Sequence, residues 1–233
     1  MKIYFNYERV KQSLKNPKVR TIITLSEWFL FFLILFWLIG LFSVPKYYRP
    51  VKSVSDGQVS QYLTNRILPD MHNNSQYDQP FDIVFSEKGI NDILVRHIDA
   101  NNLGKSNLSD VSVTFKRNRI LLTGKTVYHG FNFIVTIVLK PYINKEGYFL
   151  PGISKILIGK SRIPFAVRAV KRKVLYELTG FFKDSDTANF VGILFSSNRI
   201  EPVFPFNHRK LRVEKITLQD KEVVISFLPQ QDN

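Results

Sequence analysis

The sequence predicts an N-terminal transmembrane helix followed by an α+β domain, and three patterns in its 233 residues support this assignment. An uncharged apolar run occupies residues 28–44. Apolar residues recur at helical spacing in residues 86–98 and 163–182. Apolar and polar residues alternate through residues 111–139, which is typical of half-buried strands linked by hairpins. Helices and an antiparallel meander together indicate an α+β fold.

The apolar run Trp28–Val44 predicts a membrane span. As a helix it would rise ~25 Å, and extension back to Thr21 reaches the ~30 Å thickness of a hydrocarbon core. A buried core helix would be shorter and amphipathic. A cleaved signal peptide would lead into a small-residue cleavage site, which residues 43–50 lack. We therefore interpret residues 21–44 as an uncleaved signal anchor.

The charges that flank the run predict its orientation. Residues 1–20 carry six Lys or Arg, whereas the nearest residues on the other side carry only Lys46, Arg49 and Lys52. The positive-inside rule then places the N-terminus in the cytoplasm of a single-pass cell-membrane protein. The predicted organisation is a cytoplasmic tail (1–20), the transmembrane signal anchor (21–44), a membrane-proximal helix and linker (45–80) and an extracytoplasmic α+β domain (81–233).

Composition narrows the setting and the chemistry. The chain has no cysteine, which excludes thiol catalysis, disulfides and Cys-based metal sites, and a disulfide-free external domain suits a cell envelope. Residues 53–115 carry four basic against eight acidic side chains, whereas residues 116–215 carry nineteen against six. The nearest anionic partner for this basic half is the membrane surface.

Helical patterns alternate with a strand pattern in the first part of the external region. Residues 54–68 predict a helix that stops at Pro69, and residues 70–80 have the composition of a loop. Residues 81–85 alternate as a strand, and Ser86 is placed to cap the next helix. One face of that helix carries Ile90, Ile93, Leu94 and Ile98.

The remaining strands follow from period-two alternation and turn residues. Predicted strands occupy residues 111–115, 120–124, 131–139 and 148–158, then an edge strand at 200–206 containing Pro202 and Pro205, and a closing hairpin of 211–218 and 223–227. Residues 189–195 are apolar without a clear period.

Residues 163–182 predict a further helix, with an apolar stripe that includes Val170, Val174 and Leu178. The opposite side carries Arg168, Lys171 and Arg172. Two interpretations are open. The helix packs on the sheet and its basic face is solvated, or that face lies against anionic lipid.

Residue patterns typical of catalysis are lacking. The Gly-Lys-Ser triplets at residues 104 and 159 lack the earlier glycine of a phosphate loop, since Asp99 and Ser154 stand there. The four histidines show no metal-ligand spacing, and no nucleophile motif occurs. The sequence therefore predicts no enzyme, no cofactor and no metal site. Nucleic acid is not an expected partner either, because the phenylalanines lie in strand patterns rather than among the basic clusters.

Three stretches carry a family resemblance: IVFSEKGINDIL (83–94), VSVTFKRNRILLTG (111–124) and ILIGKSRIPF (156–165). Their order resembles that of LmeA-like and YpmS-like single-span envelope proteins with a phospholipid-binding-like external domain. The resemblance implies a long curved antiparallel sheet packed on one or two helices, with an apolar groove between them that suits an acyl chain. It carries over no catalytic or ligand residue.

The functional expectation is an envelope protein whose external domain binds lipid or another amphiphile without catalysis. The groove would be lined by sheet residues Phe131, Phe133, Val135 and Ile137 and by helix residues Val170, Val174 and Leu178. Arg168, Lys171 and Arg172 would meet anionic headgroups. The alternative is a structural subunit of a secretion or division complex of the envelope, whose span and sheet edge make protein contacts.

Overall fold

The computed structural model of the protein describes residues 17–51, 58–97, 108–162 and 200–230. The chain divides into two compact units, residues 1–41 and 42–233. Helix α1 (Pro17–Phe42) contains residues 28–42 of the apolar run, and no side chain in it is buried. Within the described ranges it is the one helix long and apolar enough to cross a membrane. It ends shortly before Pro45, because a proline disfavours helical geometry in the residue that precedes it.

The helical segment before the first strand begins and ends later than predicted, because residues 58–60 of the predicted helix are not helical. A π-helical stretch (Leu63–Ile67) continues directly into α2 (Leu68–Ser75), so the predicted stop at Pro69 and the predicted loop are wrong for residues 70–75. The Leu68 N–H donates to the Leu63 carbonyl, which is the wider π pattern. This local change accommodates the proline ring and its missing N–H in the first turn of α2.

All strand pairs are antiparallel, and the described strands form three sheets. The five-stranded sheet has the order β2 (Leu108–Lys116), β3 (Arg119–Tyr128), β4 (Phe131–Leu139), β7 (Ile153–Ile158) and β8 (Ser161–Arg162). The four-stranded sheet has the order β1 (Phe81–Ser86), β11 (Glu222–Gln230), β10 (Arg209–Leu218) and β9 (Val203–Phe206). A small sheet pairs β5 (Tyr142–Ile143) with β6 (Phe149–Leu150).

The predicted meander is confirmed, with one interruption. The strand expected over residues 148–158 is divided into β6 and β7. Gly152, between the two strands, has a φ of +58°, which suits glycine best. Its carbonyl accepts a hydrogen bond of 2.9 Å from the Lys140 N–H. The break lets β7 turn back to pair with β4.

The four-stranded sheet joins distant parts of the chain. The closing hairpin β10–β11 and the edge position of β9 are confirmed, while β1 pairs with β11 along its whole length. The core under this sheet contains buried side chains from the helical segment and from the sheet. They are Ile67, Met71, Ile83, Leu211 and Phe227.

Helix α3 (Glu87–His97) begins as the sequence predicts. The Ser86 hydroxyl accepts the Gly89 N–H at 3.1 Å, and this cap satisfies one of the free donors of the first turn. Ile90 and Leu94 pack on the second core cluster, which draws buried residues from both large sheets: Val113, Phe115, Leu218 and Val223.

The same helix hydrogen-bonds the outer edge of β2. The Asn91 side chain accepts the Val113 N–H at 2.8 Å and donates to the Val113 carbonyl at 2.7 Å. The Glu87 carboxylate accepts the Phe115 N–H at 2.8 Å. The Lys221 N–H, in the β10–β11 turn, donates to the Phe115 carbonyl at 3.3 Å. Side chains and a turn thus take the place of a further strand and connect the two large sheets.

The predicted helix over residues 163–182 and the apolar piece at 189–195 lie outside the described residues, as does Ile98.

We expect Asn91→Ala to destabilise the domain by about 1–3 kcal/mol, because the buried N–H and carbonyl of Val113 lose their partner. Thermal unfolding and amide hydrogen exchange of the full chain in detergent measure the loss, with the fastest new exchange in β2. Lys88→Ala, an exposed position of the same helix, is the control. Equal stability of the two variants would contradict the role of Asn91.

Candidate functional site

Strand β4 carries the four sheet residues predicted to line a groove. They alternate along the strand and therefore share one face of the sheet. Phe131 is 60% exposed, Phe133 and Val135 are half-buried, and Ile137 is only 4% exposed. The row thus runs from solvent at the start of β4 into the core of the domain.

The neighbouring strand places a glycine beside this row. Val135 lies opposite Gly124 of β3, and Ile137 lies opposite Leu122. Glycine has no side chain, but Gly124 is itself buried, so other groups cover the sheet at this position. The exposed apolar surface of the row is therefore at its Phe131 end, and the row is closed at Ile137.

Phe42 adds a third ring at the exposed end of the row. Phe42 is the first residue of the second compact unit. Its ring centroid lies 6.0 Å from that of Phe131 and 5.2 Å from that of Phe133. These distances are typical of favourable aromatic pairs. The three rings form an aromatic cluster at the start of β4.

The opposite face of the sheet holds a buried row of hydroxyls. Ser112, Thr123 and Thr136 lie opposite one another on β2, β3 and β4, and all three are buried. The Thr123 and Thr136 hydroxyls are 3.3 Å apart. The Tyr47 phenol donates to the Thr136 hydroxyl at 3.2 Å, and the Thr114 hydroxyl donates to the Tyr47 carbonyl at 3.3 Å. The segment after α1 is therefore tied to this face by hydrogen bonds.

Sequence reasoning missed this hydroxyl row. In an alternating strand, Thr123 and Thr136 occupy the positions that usually face solvent. Both are buried here, and the Tyr47 phenol bonds to Thr136. The available signal was the pairing of hydroxyl residues at matching positions of adjacent predicted strands, since Ser and Thr side chains hydrogen-bond across strands.

Tyr48 makes a second tie to β2. Its phenol donates to the Asp110 carbonyl at 3.1 Å. Asp110 has a φ of 51° at an irregularity in the β2–β3 register, which turns this residue out of the regular ladder. Partial burial, together with the nearby Asp110 carboxylate, raises the pKa of Tyr48 from 10.0 to about 12. Both effects disfavour the phenolate.

The remaining predicted site residues cannot be placed beside this row. Val170, Val174 and Leu178 of the predicted facing helix lie outside the described residues, as do the predicted headgroup residues Arg168, Lys171 and Arg172. The residues that the structure brings together are thus the four from β4, with Phe42 and Gly124 beside them.

Neither the arrangement of metal-binding side chains nor similarity to known proteins assigns a function to this chain. In the part of the chain that the structure describes, no group of three or more His, Asp or Glu side chains is placed to hold a metal ion. No protein-family model, curated protein or solved structure matches the chain.

We expect Tyr48 to ionise above the ordinary tyrosine value, near pH 12. Since its pKa is raised on folding, its stabilising contribution is complete below pH 10 and is lost as the pH rises towards 12. NMR of the full chain in detergent, labelled at the tyrosine ring carbon that bears the hydroxyl, follows the ionisation, and the Tyr48→Phe spectrum identifies the resonance.

Asp110→Asn should lower the Tyr48 pKa only in part, because burial is the larger cause of the shift. A Tyr48 resonance that titrates at the ordinary value of about 10 would show that the phenol is solvated rather than tied to β2.

Proposed function

We propose that the chain is a single-span membrane protein of the cell envelope whose external domain binds lipid or another amphiphile without catalysis. The N-terminus lies in the cytoplasm, α1 is the anchor, and the domain that follows lies on the outer side. The resemblance to LmeA-like and YpmS-like proteins is part of this proposal, as is the absence of a catalytic role.

Helix α1 supports the membrane part of the proposal. Its 26 residues would extend ~39 Å, which exceeds the ~30 Å hydrocarbon thickness of a bilayer. The residues within its apolar run carry no charge, and none of its side chains is buried. The six basic residues before the run, against three after it, favour the proposed orientation.

The observation that carries the ligand proposal is the apolar row of β4. An ordinary core strand buries its apolar face throughout, whereas this face is open at Phe131, half-covered at Phe133 and Val135, and closed at Ile137. A graded apolar row fits an extended acyl chain, which needs a long narrow surface. Few polar groups are required there, since an acyl chain forms no hydrogen bonds.

The proposed groove has three further parts: a curved sheet, a facing helix and a set of basic residues for the headgroup. The five- and four-stranded sheets, connected through Lys221 and Phe115, act together as the long curved sheet that the family resemblance implies. Val170, Val174 and Leu178 cover the row from the facing helix, and Arg168, Lys171 and Arg172 bind the headgroup phosphate.

Hydrogen bonding on two of the described edge strands, β1 and β2, argues against strand addition there by a protein partner, as the structural-subunit alternative would need. A protein partner that adds a strand needs free N–H and carbonyl groups on an edge strand. On β2 these groups are bonded by Asn91 and Glu87. On β1, the Tyr62 hydroxyl donates to the Val84 carbonyl at 3.2 Å and accepts the Ser86 N–H at 2.8 Å. Parts of these two edges are therefore already hydrogen-bonded within the chain.

Photo-crosslinking tests the proposal in the full chain. The protein is reconstituted in nanodiscs that contain a phospholipid with a photoreactive group in its acyl chain, and the adducts are mapped by peptide mass spectrometry. We expect adducts on β4 in addition to those on α1. Adducts confined to α1 and its flanks would contradict a lipid-binding domain.

A charged side chain in the row supplies the matched comparison. Val135→Asp should reduce the β4 adducts by about tenfold, because a carboxylate is poorly accommodated beside an acyl chain. Val84→Asp makes the same change at an exposed position of β1 and should leave the β4 adducts unchanged. Equal adduct yields from the two variants would show that the row does not hold the chain.

A further inference from the structure

The β3–β4 hairpin ends in an exposed apolar tip. We call Val127, Tyr128 and Phe131 the aromatic tip; they are 44%, 54% and 60% exposed. Tyr128 and Phe131 lie opposite each other as the last pair of the hairpin. The two turn residues, His129 and Gly130, have φ values of 48° and 80°, as a tight two-residue hairpin turn requires. The strands therefore hold the tip as a short projection.

The other end of β3 has the opposite character. There, the turn to β2 is formed by Arg117 and Asn118 between Lys116 and Arg119, and Arg117 and Arg119 are exposed. The ten residues of β3 place the two turns ~30 Å apart, at about 3.3 Å per residue. The β2–β3 turn is thus basic and solvated, whereas the β3–β4 turn is flanked by exposed apolar side chains. This polarity points to an environment at the aromatic end that differs from bulk water.

Contacts of Phe42 indicate which environment that is. The Phe42 ring packs on Phe131 of the tip and on Phe133 behind it. Phe42 is the last residue of α1, near the end of the segment that we propose crosses the membrane. The tip therefore packs against the residue at which α1 ends. Lys46 and Arg49, both exposed, follow within a few residues and suit anionic headgroups.

We propose that the aromatic tip is a second membrane contact, in which Val127, Tyr128 and Phe131 insert into the headgroup region of the bilayer that α1 crosses. Aromatic rings with an apolar body and a polar edge favour this layer. The domain is then held to the lipid surface at two points, and the exposed end of the β4 row opens directly at that surface. The inference rests on the membrane span of the proposed function.

Single cysteines test the contact, since the chain contains none of its own. The full chain is reconstituted in phosphatidylglycerol and phosphatidylcholine vesicles, and each cysteine carries an environment-sensitive fluorophore. Asn132→Cys reports on the tip and leaves its three apolar residues in place. Arg117→Cys, at the basic turn, is the matched control, and Leu35→Cys within α1 reports on the span. Lipids with a spin label near the headgroup or deep in the acyl chain act as quenchers.

We expect the fluorophore at residue 132 to be quenched at least twofold more by the headgroup spin label than the fluorophore at residue 117, and residue 35 to be quenched by the deep label. Adding Phe131→Ser to the Asn132→Cys variant should reduce that quenching. If residue 35 is quenched while residues 132 and 117 behave alike, the tip contact is overturned and the membrane span stands. If residue 35 is not quenched either, the span and the contact both fail. Protection of residue 132 from water without quenching by lipid would also overturn the proposal, because it indicates a protein on the tip.

Discussion

Hydrogen bonding along the outer edge of β2 is the constraint on which the rest of the domain depends. An edge strand that is buried must find partners for its N–H and carbonyl groups. Asn91 and Glu87 supply these partners from one helix, and Lys221 supplies another from the β10–β11 turn. Because both side chains belong to α3, the same bonds hold Ile90 and Leu94 over the core that the two large sheets share.

Strand β4 makes different contacts on its two faces. On one face, Thr136 receives the Tyr47 phenol, so the segment after α1 is tied to the sheet by polar contacts. On the other face, Phe131 and Phe133 pack on Phe42 and begin the apolar row. Both faces thus contact residues 42–48 of the same chain.

Local patterns in the sequence predict the elements better than their partners. Period-two alternation predicts β3, β4 and the closing hairpin, and Ser86 marks the start of α3, because these features depend on neighbouring residues. The pairing of β1 with β11 cannot be read in this way, since the two strands come from distant parts of the chain and period two is the same for every possible partner. The prediction that the helix stops at Pro69 is wrong for a local reason, because a π-helical turn accommodates the proline.

The candidate site, too, is predicted only where it depends on neighbouring residues in the sequence. Alternation alone places Phe131, Phe133, Val135 and Ile137 on one face of a strand. It carries no information on which of them is covered, and the graded exposure along the row follows from the tertiary packing. The buried hydroxyls escape prediction because Tyr47, which bonds to Thr136, lies far away in the sequence and outside any strand pattern.

The orientation of the chain across a membrane is the central claim, and labelling with a membrane-impermeant maleimide tests it most directly. Lys145→Cys places a thiol on an exposed turn of the domain proposed to be external, and Lys15→Cys places one in the predicted cytoplasmic tail. We predict that intact expressing cells label residue 145, and that residue 15 reacts only after the membrane is permeabilised. Labelling of residue 15 in intact cells, or protection of residue 145 until permeabilisation, would contradict an external domain on a cytoplasm-facing anchor.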